Sequence, residues 1–202
     1  MNNDFLIKNE NKSDTLIVAF AGQDRKFIKN QRFEFQKFLD THFKNVDTHF
    51  YYDSFYNLYH NGIRDISSNI DETVEYFKKV ILPYKNVIFI GASSGGYAAI
   101  LFGSLLHINS VLAFFPQTFR TAKNIDEKYR DTANYISNIT KYYLYGELNI
   151  QCEQHCHHIS HCERISHHPN VFLTKMYNID LRRMRDNGEL YEILKKLIDS
   201  FY

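Results

Sequence analysis

The chain has 202 residues, 44% of them hydrophobic and 16% aromatic, and 24 Lys and Arg against 23 Asp and Glu leave a formal net charge of +1. That composition supports one buried core and excludes a disordered or strongly basic chain, so nucleic acid is not an expected partner. The opening segment MNNDFLIKNENKSD lacks the apolar stretch of a signal peptide, and no later run approaches the roughly 18 apolar residues of a membrane span; a cytoplasmic protein is the expectation.

Short β-type runs alternate with helical patterns along the chain: Phe5–Lys8, Thr15–Phe20, Val46–Tyr51, Val87–Ile90, Val111–Phe115, Tyr142–Tyr145 and Val171–Met176. This rhythm predicts a single α/β domain over residues 1–202 with a mostly parallel central sheet between helical layers. Between the runs, Phe35, Phe38, Leu39 and Phe43 lie at helical spacing, and Ile66, Ile70, Val74, Phe77 and Ile81 trace one apolar stripe ending at Pro83. The chain closes on another amphipathic segment, Asp186–Phe201.

The fourth run leads into Gly91-Ala92-Ser93-Ser94-Gly95, a G-x-S-x-G match with an apolar strand before it and the helical run Tyr97–Leu106 behind. A sharp strand-to-helix turn needs glycines where segments pass closely. It also delivers Ser93 to a helix N-terminus, where free N–H groups favour developing negative charge. Ser94 N–H is then one oxyanion donor, and Gly22 or Gln23, in the loop after Thr15–Phe20, is the candidate for the second.

In Val87–Thr118, with GASSGGYAAILFG followed by VLAFFPQTF, the chain resembles the α/β-hydrolase superfamily, especially small members associated with bacterial surface glycans, among them capsule O-acetyltransferases. The resemblance implies a three-layer α/β-hydrolase-like fold. It also implies a serine acyl-enzyme, acyl transfer to water or to a sugar hydroxyl, no metal, and no cofactor beyond acetyl-CoA as an acyl donor if the protein is a transferase. The expected partner is a small molecule or glycan.

The same resemblance sets the order serine, acid, histidine, with the acid after the next-to-last strand and the histidine after the last. After Tyr142–Tyr145 the chain reads Gly146-Glu147-Leu148-Asn149, with Asn149 where an aspartate is common; Glu147 is the preferred acid and Glu153 the alternative. After the last strand stand Asn178 and Asp180, and no histidine follows His168. Two other histidines are candidates for the base: His60, on the loop beyond Tyr51, and His155, beyond the acid loop. The remaining reading is a module that keeps the cleft without the reaction.

Cys152-x-x-His155-Cys156-His157-His158-x-x-His161-Cys162 concentrates metal-capable groups. Read as one helix stopped by Pro169, it turns its cysteines inward as small apolar residues and its histidines outward, and one helix offers too few ligands for a tetrahedral zinc site, so no metal is expected. The aromatic stretch Tyr51–Tyr59 is a candidate wall for a sugar cleft, with loop packing as the plainer reading. Arg182, Arg183 and Arg185 are either a binder of an anionic group or a solvated helix start.

Overall fold

Seven strands form one sheet in the order β1-β3-β2-β4-β5-β6-β7. They are β1 (Phe5–Lys8), β2 (Thr15–Phe20), β3 (Asp47–Tyr51), β4 (Asn86–Ala92), β5 (Ser110–Phe114), β6 (Lys141–Glu147) and β7 (Val171–Met176). Only β1 runs antiparallel to its neighbour; every other pairing is parallel. The computed structural model describes residues 3–9, 13–23, 33–122 and 124–202.

Parallel strands covered on both faces carry continuous apolar runs, and TLIVAF of β2 is buried at all six positions. Leu16, Val18 and Phe20 turn to one face, where Phe20 packs edge-on against Phe77, Phe89 and, nearly parallel, against Phe102 at centroid distances of 5.6, 5.3 and 5.7 Å. Phe77 belongs to α2 (Ile70–Ile81) and Phe102 to α3 (Ser94–Leu106). Ile17, Ala19, Ile88 and Ile90 turn to the other face, against Phe38 and Leu39 of α1 (Gln36–His42) and Leu190, Leu194 and Leu197 of α6 (Glu189–Asp199). The short helices α4 (Ser160–Glu163) and α5 (Leu181–Asp186) follow β6 and β7.

The expected stripe from Ile66 to Ile81 becomes helix only from Ile70, because Asn69 caps it there: its side chain accepts the Glu72 N–H at 2.8 Å, while the Glu72 carboxylate takes the Ser68 N–H and hydroxyl at 2.8 and 2.9 Å. The expected helix through the Cys/His segment is reduced to the four residues of α4. Two rings upstream compete with it: His155 Nδ1 accepts the His157 N–H at 3.1 Å and His158 Nδ1 accepts the Ser160 N–H at 3.2 Å, side-chain bonds that hold the backbone in turns. Of the three cysteines only Cys162 is buried.

The sheet order reverses on either side of β2, so the carboxyl ends of β2 and β4 border a crevice of the kind in which open α/β sheets bind ligands. The loops after these two strands carry Gly22 and Gln23 on one side and Ser93 on the other. Among the described residues, no helix is long and apolar enough to cross a membrane.

Two buried histidines give the fold a pH dependence. His60 Nδ1 accepts the Asp126 N–H at 3.1 Å, so Nε2 carries the proton and donates to Tyr97 Oη at 2.8 Å. His49 faces Tyr51 Oη at 3.1 Å and Asn9 Oδ1 at 2.6 Å. Burial lowers both rings from 6.5 to about 4, against the opposing pull of Asp126 and Asp47 respectively. Between those values the unfolded chain binds more protons than the folded one, so stability is full above pH 6.5 and falls as pH drops toward 4. The loss reaches up to about 3 kcal/mol per ring. Chemical denaturation at pH 7.5 and pH 4.5 is expected to show that loss, and because burial lowers His157 and His161 to about 4 as well, His60→Gln should flatten the difference between the two pH values by roughly a quarter.

Candidate functional site

Ser93 stands at φ 54° and ψ −119°, between the end of β4 and the first turn of α3. A non-glycine residue with positive φ costs on the order of 1–3 kcal/mol, and the surrounding contacts hold it there. The Ser93 N–H donates to Phe114 O at 3.0 Å, and its carbonyl accepts from Tyr97 at 3.0 Å and Gln117 at 3.3 Å. A Cβ on Gly91 would lie 2.2 Å from Gly95 O, and one on Gly95 would lie 2.2 Å from Phe20 O. Both glycines of G-x-S-x-G are thus required by close backbone approach.

The hydroxyl of Ser93 lies 2.6 Å from His157 Nε2, with Gln117 Nε2 donating to the same oxygen from 3.3 Å. The His157 ring rests against Phe115 and His155, with centroids 5.0 and 5.2 Å away. Burial first, then the neighbouring His155 and His161, lower His157 to about 4, so its ring is neutral and able to accept a proton at neutral pH. A histidine thus stands at the serine, supplied by the segment after β6 and not by the loop after β7.

The sequence candidates for the base are both elsewhere. His60 is committed through both ring nitrogens to Tyr97 and Asp126, and His155 points its Nδ1 at the backbone of His157. The helical reading of the Cys/His segment placed His157 on an outer face and so passed over it; turns bring it inward. A search for any histidine in the segment following β6, without assuming a helix, would have included it.

Glu147 ends β6 and is buried, with an exposure of 8%. Its Oε1 accepts the N–H groups of Asn149 and Asn178 at 2.8 and 3.1 Å, and its Oε2 accepts that of Ile179 at 2.7 Å. Burial alone raises its pKa, but these backbone donors outweigh it and hold the carboxyl below the usual range. The carboxylate therefore ties the loops after β6 and β7 together, a tie reinforced by the hydrogen bond from Asn149 Nδ2 to Asn178 Oδ1. Among the described residues no carboxylate is hydrogen-bonded to His157, and Glu147 is an anchor of loops where the sequence reading expected an orienting acid. Glu153 lies in an exposed turn, and Asp180 caps α5 through the N–H groups of Arg182 and Arg183.

The candidate oxyanion donors surround Ser93. Ser94 opens α3, and its Oγ accepts the Gln23 N–H at 2.8 Å. The Gly22 N–H donates to Glu34 Oε2 at 3.0 Å. Both N–H groups of the β2 loop therefore have side-chain acceptors in this state, and the Glu34 carboxylate holds the Gly22 donor.

Beside the serine opens a cavity of about 610 Å³ lined by His157, Phe115, Gly22, Lys37, Arg182 and Arg185, among others. Its cationic side chains come from α1 and α5, with Glu34 and Asp180 also in the lining, so Arg182 and Arg185 border the cavity on α5, where Arg185 pairs with Asp186. Of the aromatic stretch, Tyr52 lines the cavity, whereas Tyr51 and Tyr59 are buried in the core. The stretch is organised by Asp53, which accepts the N–H groups of Phe55, Asn57 and Tyr59 and the Gln23 side-chain amide. Loop packing thus accounts for most of these rings.

No family model matches the sequence, and no curated protein matches it. Solved structures do match in fold. The capsule O-acetyltransferase of Neisseria meningitidis serogroup A superposes with a TM-score of 0.62 at 13% identity, over 93% of this chain and 89% of that one; it has also been solved in complex with CoA. MGS-MChE2, an α/β-hydrolase enzyme from a sediment metagenome of the Mar Chica lagoon, Morocco, gives 0.58 at 13% identity over 97% and 94%. The fluorophosphonate-binding serine hydrolase FphF of Staphylococcus aureus gives 0.55 at 11% identity over 82% and 77%. The fold is that of the α/β-hydrolases.

The anchor role of Glu147 has a measurable cost. Glu147→Ala leaves three backbone N–H groups without their acceptor, those of Asn149, Asn178 and Ile179, and is expected to lower the unfolding free energy by about 1–2 kcal/mol in urea titration, with Glu147→Gln recovering part of it. Wild-type stability in Glu147→Ala would refute the anchor.

Proposed function

We propose that the protein is a serine esterase or O-acyltransferase in which Ser93 is the nucleophile and His157 the base. The observation that carries this reading is the 2.6 Å contact between Ser93 Oγ and His157 Nε2, made by a serine held in the backbone conformation of a nucleophile elbow. In the first half-reaction His157 Nε2 takes the hydroxyl proton as Ser93 Oγ bonds to the acyl carbonyl carbon. As the tetrahedral intermediate collapses, the bond to the leaving group breaks and His157 returns the proton to it. In the second half, His157 deprotonates water or an acceptor hydroxyl, which attacks the acyl-serine and releases Ser93 with its proton restored.

The oxyanion of each intermediate is assigned to the Ser94 N–H at the start of α3, together with the Gly22 or Gln23 N–H. Phe115 and His155 hold the His157 ring in place of a carboxylate. Lys37, Arg182 and Arg185 suit a phosphate-bearing acyl donor, and acetyl-CoA is the donor proposed if the protein is a transferase. A surface-glycan hydroxyl is the proposed acceptor, supported by the fold shared with the capsule O-acetyltransferase.

A second reading, a binding module without catalysis, is favoured by one observation: the Gly22 N–H is held by Glu34. Labelling with a fluorophosphonate separates the two. Expected are a single adduct on Ser93 of the folded chain, none on Ser93→Ala, and a rate at least about a hundredfold slower in His157→Ala. Absence of an adduct under conditions that label a control hydrolase would favour the module. Glu34→Ala frees the Gly22 N–H and is expected to speed labelling by up to roughly a hundredfold, the lower end of what one oxyanion donor contributes; an unchanged rate would remove Gly22 from the oxyanion site.

A further inference from the structure

His157 belongs to a second grouping besides its pair with Ser93. One ligand atom each from His155, Cys156 and His157 lie within 4.8 Å of one another, with His155 exposed and the other two half-buried. Tetrahedral zinc with nitrogen and sulfur ligands sets its donor atoms roughly 3.3–3.6 Å apart, so small side-chain movements close the cluster on an ion. The backbone already holds the segment in tight turns: His155 N–H donates to Cys152 O and His158 N–H to His155 O, each at 2.9 Å. Two imidazoles and a thiol form a donor set of borderline softness suited to Zn²⁺ and not to Mg²⁺ or Ca²⁺. This arrangement departs from the sequence expectation of inward cysteines and outward histidines, because Cys156 and His157 share one turn.

We propose that His155, Cys156 and His157 bind a single Zn²⁺ ion, with water in the fourth position, and that the bound ion withdraws the His157 Nε2 lone pair from Ser93. The ligand and the acceptor of the Ser93 proton are the same ring, and its two nitrogens leave only two outcomes. An ion on Nδ1 requires the neutral ring to carry its proton on Nε2, which then donates to Ser93 Oγ and accepts nothing from it. An ion on Nε2 takes the place of Ser93 directly. The His157 N–H, now bonded to His155 Nδ1, is the one local donor the ion displaces if that nitrogen ligates. Binding converts the Cys156 thiol to a thiolate and releases its proton to solvent, with no change of oxidation state.

Ion binding stands on the cluster alone, whereas its consequence for acyl transfer rests on the function proposed above. Three measurements on the full chain, freed of metal by a chelator, keep the two separable. Titration with Co²⁺ is expected to develop a thiolate-to-cobalt absorption band at one equivalent that Zn²⁺ abolishes by competition. Cys156→Ser should lose the band and weaken Zn²⁺ binding at least about tenfold, the lower end of what even supporting residues of metal sites contribute, while Cys152→Ser retains both. Second, ¹⁵N shifts of the His157 ring should report Nε2 as an unprotonated acceptor before Zn²⁺ and as protonated or metal-bound after it, a readout independent of catalysis. Third, Zn²⁺ at a concentration that saturates the wild type but not Cys156→Ser should slow fluorophosphonate labelling of Ser93 at least tenfold in the wild type and leave Cys156→Ser labelling near the metal-free rate. Absence of the band, or a band unaffected by Cys156→Ser, overturns the site. An Nε2 shift that Zn²⁺ leaves unchanged overturns the withdrawal from Ser93 whether or not the metal-free protein labels.

Discussion

The passage of the elbow backbone between β2 and α3 is the constraint on which the rest of the site depends. Gly95 sits so close to Phe20 that no side chain fits between them, and Gly91 is equally close to Gly95. This contact welds the end of β4 to the end of β2, fixes Ser93 in its left-handed conformation, and sets the start of α3 directly behind it. Phe20, whose carbonyl closes the approach, also packs its ring against Phe77, Phe89 and Phe102 in the core. The strain at one serine is therefore held by the packing of the whole sheet, which is how a cost of a few kcal/mol at a single position persists.

The fold was legible in the sequence to a large degree because its main signal is burial. Strands β2, β4 and β5 are covered on both faces, so their runs are apolar almost throughout. The tight strand-to-helix turn at Gly91–Gly95 was legible because its glycines answer to steric necessity. What the sequence concealed were features set by single hydrogen bonds. The start of α2 moved to Ile70 because Asn69 caps it, and the Cys/His segment lost its helix because His155 and His158 bond to backbone N–H groups two residues on. Helical periodicity carries no information about such local competition, and the face assignments that depended on it failed with it.

The same failure hid the contact of His157 with Ser93. In a helix, His157 would point away from Cys156 and out of the crevice; in the turns that exist, it reaches Ser93 and packs on Phe115, the residue immediately after β5. Asn149 and Asn178, which look in sequence like losses from a triad, acquire a different meaning. They bond to each other and share the Glu147 carboxylate, so the loops after β6 and β7 are closed against one another. The carboxylate thus commits three of its roughly four acceptor sites to the backbone of these two loops.

Among the described residues no carboxylate orients the His157 ring, which packs instead against Phe115 and His155. Packing fixes the plane of a ring but not which nitrogen carries the proton, whereas a carboxylate fixes both. That difference leaves the tautomer of His157 open to its surroundings. In the metal-free state Ser93 and the buried environment favour the neutral ring; a cation held with His155 and Cys156 would select the opposite tautomer. Without a carboxylate partner among the described residues, the Ser93–His157 pair is open to whatever approaches the other side of His157, which in this chain is a turn carrying a thiol and a second imidazole.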